Sequence, residues 1–294
     1  MRWIVGVDLH GHSHGALQFS RWVNRQAITA EGELWEAVHV LENREISWQQ
    51  AHISLAEIER IAREAVNTAI APMDPEPDET TLVFDKTVTH GLEARVGPAV
   101  DTVLVVGRRA TREGEGRVRL GRITRRLARS LAAPVVVVPR DLPDDLPPGP
   151  VLLATSLEDD SAGAAVFAQR LRQRLGREVV ACHVVAGVSD APPHYVSQEV
   201  RALRQLHVQT ESEHNIEMWL RQHQLGQSAK RVATGNVVEQ LCEVAAARDA
   251  CMIVVGSRQL SLPARVFRSS VASELASVSA IPVAIVPADL GTMP

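Results

Sequence analysis

Short apolar runs alternate with amphipathic stretches from one end of this chain to the other. Residues 4–7 read IVGV, an uncharged run too short for a helix, which marks a buried strand. Ala16, Phe19, Val23 and Ala27 then return at steps of three and four, the spacing of one helical face. Further strands are predicted over 34–41, 81–85, 103–106 and 135–138. Between them, helices are predicted through Leu55, Ile58, Ala62, Ala65 and Ala69, near 90–95, and over 123–131. The same order then recurs. Strands are expected near 151–155, 178–185, 230–233, 252–255 and 283–286, and helices near 161–175, 196–224, 236–247 and 270–279. Asn236 with Glu239 three residues on has the form of a capping box.

The recurrence is a true internal repeat. PVVVVP at 134–139 returns as PVAIVP at 282–287, an offset of 148. VLVVG at 103–107 returns as MIVVG at 252–256, an offset of 149, and IVGV at 4–7 as VLLA at 151–154, an offset of 147. Between the copies lies DLPDDLPPGP at 141–150, acidic and too rich in proline for helix or central strand. The expected division is therefore a first domain over 1–140, a linker over 141–150 and a second domain over 151–288.

Strands alternating with helices, each strand a near-continuous Val/Ile run, imply parallel sheets covered on both faces. The fold expected is α/β, with two tandem flavodoxin-like (Rossmann-like) domains, each holding its own five-stranded parallel sheet. A single continuous sheet, or lobes of unlike strand order, would end the case for two separate matching lobes. The closing runs, 135–138 and 283–286, are edge strands that want a partner. They could pair with each other in an intramolecular pseudo-dimer, and a homodimer of chains is a further expectation.

Composition narrows the reading. Apolar residues make up 45% of the 294 but aromatics only 3%, so the cores must be aliphatic. The net charge of −4 gives no general drive toward nucleic acid or membrane, so no membrane partner is expected and nucleic acid is not the favoured one. The opening MRWIVGVDLHG is too short an apolar run for a signal peptide, and no stretch is long enough to span a bilayer. Three cysteines, Cys182, Cys242 and Cys251, form no C-x-x-C pair, which suits buried thiols in a reducing compartment. The expected location is cytoplasmic.

Ligands of such sheets bind beyond the strand carboxyl ends, where the strand order reverses. In the first copy that edge carries Asp8 and the segment 107–126, and in the second Thr155 and the segment 256–273. VVGSR at 254–258, SSV at 269–271 and PVAIV at 282–286, with VVGRR at 105–109, GRI at 121–123 and PVVVV at 134–138, resemble the universal stress protein family, twice over and across essentially the whole chain. The resemblance implies a non-enzymatic stress-response regulator. Members that bind ATP carry G-x-x-G-x9-G-(S/T) after the fourth strand and an Asp after the first.

What the resemblance implies about ligands is ATP or ADP, with no metal beyond a nucleotide-bound magnesium. It points to Asp8, Val40, Gly107, Arg108, Arg109, Gly121, Arg122 and Ile123 in the first copy, and to Gly256, Ser257, Arg258, Ser269 and Ser270 in the second. Glycines would let the loop approach phosphate, and the helix that follows offers free N–H groups. Both copies depart from the pattern. Gln259 and Ser269 replace two glycines in the second, and Thr155 stands where Asp is expected. In the first, Ala110 replaces a glycine, the loop is one residue longer, and Arg122 replaces the hydroxyl. Two alternatives stay open: a slow ATPase or nucleotidyl transferase, and an interaction module that binds no nucleotide.

Nine arginines lie within 108–129, opposed only by Glu113 and Glu115. Arg122, Arg125, Arg126 and Arg129 would share one helical face, with Ile123, Leu127 and Leu131 opposite. Arg122 would stand at a helix N-terminus, where the macrodipole disfavours a cation by about 0.3–1 kcal/mol. A bound polyphosphate or acidic partner would relieve that charge; the other reading is a solvated face, or one neutralised by the acidic linker through Asp141, Asp144 and Asp145. His10, His12 and His14 alternate in a glycine loop and could reach one metal if it were extended, or could lie over the nucleotide. His39 and His183 end the second strand of their copies, which suggests a shared structural role. Trp3, Trp22, Trp35 and Trp48 could serve as core or as a dimer face.

Overall fold

Strand and helix alternate through the residues that the computed structural model describes: 1–28, 33–97, 101–108, 120–185, 197–257 and 271–290. The first half runs β1 (Arg2–Gly6), α1 (His14–Gln26), β2 (Leu34–Glu42), α2 (Asn43–Gln49), α3 (Leu55–Ile70), β3 (Glu79–Asp85), α4 (Val88–Val96), β4 (Thr102–Gly107), α5 (Arg122–Ser130) and β5 (Val135–Val138). The second runs β6 (Val151–Ala154), α6 (Ala162–Leu175), β7 (Val179–Val185), α7 (Gln198–Gln222), β8 (Ala229–Thr234), α8 (Val237–Ala247), β9 (Met252–Ser257), α9 (Val271–Val278) and β10 (Val283–Pro287). Among the described residues, no helix is long and apolar enough to cross a membrane.

Local chemistry sets the helix ends. Ser54, Thr87 and Asn236 each cap a helix by accepting from amides in its first turn. Gly176 closes α6 in the left-handed region at φ +62°. The short α2 was absent from the periodicity reading, because NREISWQ buries only Ile46 and shows no apolar stripe.

The expectation of two separate sheets is corrected. All ten strands form one sheet, in the order β3-β2-β1-β4-β5-β10-β9-β6-β7-β8. Each half keeps parallel pairing and the same internal order, so the halves match. The two are fused where β5 and β10 pair antiparallel, with Val137 opposite Val283, Val136 opposite Ala284 and Val135 opposite Ile285. The physical reason is the edge problem. PVVVVP and PVAIVP are apolar on both faces, and an edge with that sequence would leave bare backbone beside bare hydrocarbon.

Side chains alternate between two cores, one on each face. Trp3, Val5, Val136 and Ala284 point to the face covered by α1, α3, α6 and α7. Ile4, Val135, Val137 and Ile285 point to the face covered by α4, α5, α8 and α9. Both cores run without a break through both halves. Trp3, Trp22 and Trp35 are buried in the first of them, whereas Trp48 is exposed.

The proline-rich segment 141–150 packs on both halves. Leu142 and Leu146 are buried, Asp144 pairs with Arg21 at 3.1 Å, and the Cys251 amide donates to the Pro150 carbonyl at 3.0 Å. Polar ties join the halves directly as well. Buried Glu33 accepts from Arg174 at 3.0 Å, Gln26 accepts from Arg177 at 2.6 Å, and the Arg177 guanidinium lies 5.7 Å from the Trp22 ring.

Candidate functional site

Strand order reverses in each half between the first and fourth strands, and ligands of such sheets bind at the carboxyl edge of that reversal. In the first half β1 leads into Asp8. Its Oδ1 accepts from the amides of His12 at 2.8 Å and Ser13 at 3.2 Å, and from the Ser13 hydroxyl at 3.3 Å. The Asp8 amide in turn donates to Ser13 Oγ at 3.1 Å. His39 Nδ1 lies 2.8 Å from the Val7 carbonyl and ties β2 to the same corner. The carboxylate is thus held in a fixed place by its own loop.

Gly107, at the end of β4, faces this loop. A Cβ there would stand 2.0 Å from the His12 carbonyl oxygen, closer than any carbon can approach. The glycine is therefore required by the approach of the β1–α1 loop, whatever it does for a phosphate. Gly121 precedes α5 with nothing within 4 Å of where a Cβ would be, and it adds no side-chain cap. The first turn of α5 holds no acid, and among the described residues no side chain caps it.

Other expected site residues are placed differently. Arg108 turns away from the crevice and donates to the carbonyls of Ala276 at 3.1 Å and Ser279 at 2.9 Å, at the end of α9 in the other half. Burial pulls this guanidinium below its ordinary value, opposed by Asp141. It clamps the halves together and satisfies carbonyls that a helix end leaves open. Val40 is buried in the core against Gly91 of α4, so its side chain lines no crevice. Arg122 is exposed, and Ile123, expected on the buried face with Leu127 and Leu131, is 40% exposed because it sits at the margin of that face. Arg109 lies outside the described residues, as do Arg258, Ser269 and Ser270 in the second half.

The second half reproduces the corner with other residues. His183 Nδ1 lies 2.9 Å from the Thr155 carbonyl, as His39 does from Val7, and the Ser156 amide donates to Ser161 Oγ at 3.0 Å, as Asp8 does to Ser13. Thr155 therefore matches Val7, and the residue in the place of Asp8 is Ser156, a correction of one position. A Cβ on Gly256 would stand 2.2 Å from the Asp160 carbonyl, so Asp160 matches His12. Ser257, at the end of β9, pairs with Pro287. Ser13, Ser161 and Ser156 escaped the sequence reading, although the offset of 148 links 8 with 156 and 13 with 161.

The two corners differ in charge. The first reads DLHGHSH over 8–14, and Arg140 beyond β5 reaches to 3.9 Å from the Cβ position of Gly11. The second reads SLEDDSA over 156–162, with Ala288 in the place of Arg140. Residues 9–13 form turns, so the alternate histidines are not extended, and no group of metal-ligating side chains gathers among the described residues.

The thiols stand apart from either corner. Cys182 and Cys251 are buried, and burial pushes both up to about 11 from an ordinary 9.0. Each is a group whose protonated form the fold favours. Its contribution is full below pH 9 and disappears as the pH rises toward about 11. Denaturant unfolding across this window is expected to show stability falling with pH, and the C182A/C251A variant should fall less steeply. Equal slopes would contradict the assignment.

Comparison with known proteins agrees with this fold. The model of the universal stress protein family matches residues 149–287. A universal stress protein from Archaeoglobus fulgidus superposes with a TM-score of 0.67 over 98% of this chain and 98% of its own, at 13% identity. A functionally unknown protein from Pseudomonas aeruginosa superposes with a TM-score of 0.62 over 98% of this chain and 93% of its own, at 11% identity. At these identities the likeness is one of fold. No curated protein matches the chain.

Proposed function

Because residues 149–287 match the universal stress protein family and the first half repeats their strand order, we propose that this chain is a non-enzymatic stress-response regulator whose first half holds an adenine nucleotide, ATP or ADP. The observation that carries this is the asymmetry of the two corners. The first has a carboxylate, Asp8, fixed by its own loop in a turn otherwise rich in histidine, with Arg140 close by. The second places a serine there and follows it with Glu158, Asp159 and Asp160. Phosphate would be repelled by an acidic turn and attracted by the basic one.

Each residue then has a task. Asp8 accepts from the ribose hydroxyls. Gly121 and the first amides of α5 receive phosphate. The Asp8–Ser13 hydrogen bonds keep the corner rigid, so little ordering entropy is lost on binding. ATP supplies the regulatory signal by occupancy alone.

Thermal unfolding with ATP, ADP and AMP tests the reading. A ligand at 100 times its Kd adds about 2.7 kcal/mol to stability. Asp8→Asn keeps the acceptor for the loop amides and removes the charge, so it should lower Tm little and abolish the ATP shift. Ser156→Ala should leave the shift intact. If none of the three nucleotides moves Tm, the chain is an interaction module. If ATP turns over and Asp8→Asn stops it, the chain is an enzyme.

A further inference from the structure

The outer face of α5 is a cationic ridge. At 100° per residue, Arg122, Arg126 and Arg129 fall within an arc of about 60°, and seven residues of rise spread them over about 10 Å. All three are exposed, while Thr124, Leu127 and Ala128 are buried on the opposite side. Elsewhere in the molecule arginines find carboxylates: Arg2 and Arg95 on Glu36, Arg60 on Glu57, Arg174 on Glu33 and Arg221 on Glu217. Among the described residues, no carboxylate lies within 4 Å of these three, and nearby Glu93 bonds instead to Ser130.

The ridge works against its own helix. Arg122 and Arg126 are like charges at i,i+4, Arg126 and Arg129 at i,i+3, and Arg122 sits in the first turn against the macrodipole. An aligned external anion would relieve all three repulsions. Guanidinium forks in a row suit phosphates in a row. The surrounding stretch, 101–140, contains no Phe, Trp or Tyr, so it offers nothing on which a base could stack. We propose that the outer face of α5 binds inorganic polyphosphate along the helix axis. Its Arg122 end adjoins the α5 N-terminus that the nucleotide reading gives to phosphate, while Arg126 and Arg129 lie further along the helix, and the proposal does not depend on that reading.

Anisotropy of labelled long-chain polyphosphate, measured across a salt series, tests it on the full chain. The R122Q/R126Q/R129Q variant should bind at least tenfold more weakly. Its plot of log K against log salt should flatten by about 2, three contacts at about 0.7 each. Removing like charges from an exposed face relieves repulsion, so the variant should keep its Tm, and the loss cannot be ascribed to unfolding. Asp8→Asn should leave polyphosphate binding unchanged even if it removes the ATP shift. Wild-type affinity in the triple variant would overturn the proposal. So would displacement of polyphosphate by saturating ATP, which would place the anion in the crevice. Equally tight binding of single-stranded DNA of matched charge would also overturn it, and would make the partner a nucleic acid.

Discussion

Alanine at Gly107 and alanine at Gly256 are expected to cost nearly the same stability and to differ completely in their effect on nucleotide response. The added methyl would stand 2.0 Å from the His12 carbonyl in the first case and 2.2 Å from the Asp160 carbonyl in the second. Both obstacles are backbone, so the β1–α1 or β6–α6 turn must move bodily. Each substitution should lower stability by about 3 kcal/mol or more, at the upper end of overpacking. At Gly107 the displaced turn carries the amides of His12 and Ser13 that hold the Asp8 carboxylate. The ATP-induced rise in Tm should therefore vanish in the Gly107→Ala variant and persist, from a lowered baseline, in Gly256→Ala. Calorimetry of both variants with and without ATP decides. Loss of the shift in both, or in Gly256→Ala alone, would reject the assignment of the nucleotide to the first half.

A carboxylate at Val136 should disrupt the whole molecule. Val136 is fully buried, sits opposite Ala284 at the antiparallel joint, and belongs to a core that continues through both halves. An unpaired charge at such a place costs several kcal/mol. At about 2 °C for each kcal/mol in a chain of this size, Val136→Asp should lower Tm by about 10 °C or more. Val136→Thr keeps the shape and adds one hydroxyl, so it should show a smaller loss in the same direction and report on the site if the Asp variant fails to fold. Because both cores are shared, the wild-type chain should unfold in a single calorimetric transition. A Val136→Asp protein within 2 °C of wild type would show that the joint is not what holds the halves together.

The duplicated corners share their architecture and differ in charge. Both retain the histidine bond, the serine bond and the glycine contact that build the turn. The architectural residues match, and the charged ones diverge. Arg108 strengthens the point, because its counterpart by position, Ser257, cannot reach across to a helix end. The clamp onto Ala276 and Ser279 is therefore one-sided.

Much of this was legible beforehand, for a local reason. Strand and helix periods are set by covalent geometry over a few residues, so VVVV at 135–138 reads as a strand with its bounds correct, and 237–247 reads as a helix from Asn236 onward. The duplication, the order of the strands and the nomination of 135–138 and 283–286 as partners follow from the sequence by itself, whereas the short α2 does not. Non-local facts did not. The spacing suggested Thr155 as the match for Asp8, and only the paired bonds of His183 and His39 shifted it to Ser156. The target of Arg108 lies 168 and 171 residues away. That the halves make one sheet, with β5 and β10 antiparallel in a particular register, was decided in three dimensions. Two apolar edges, each unable to face water, had to meet, and the register that buries both strands on both faces was the one the packed helices allowed.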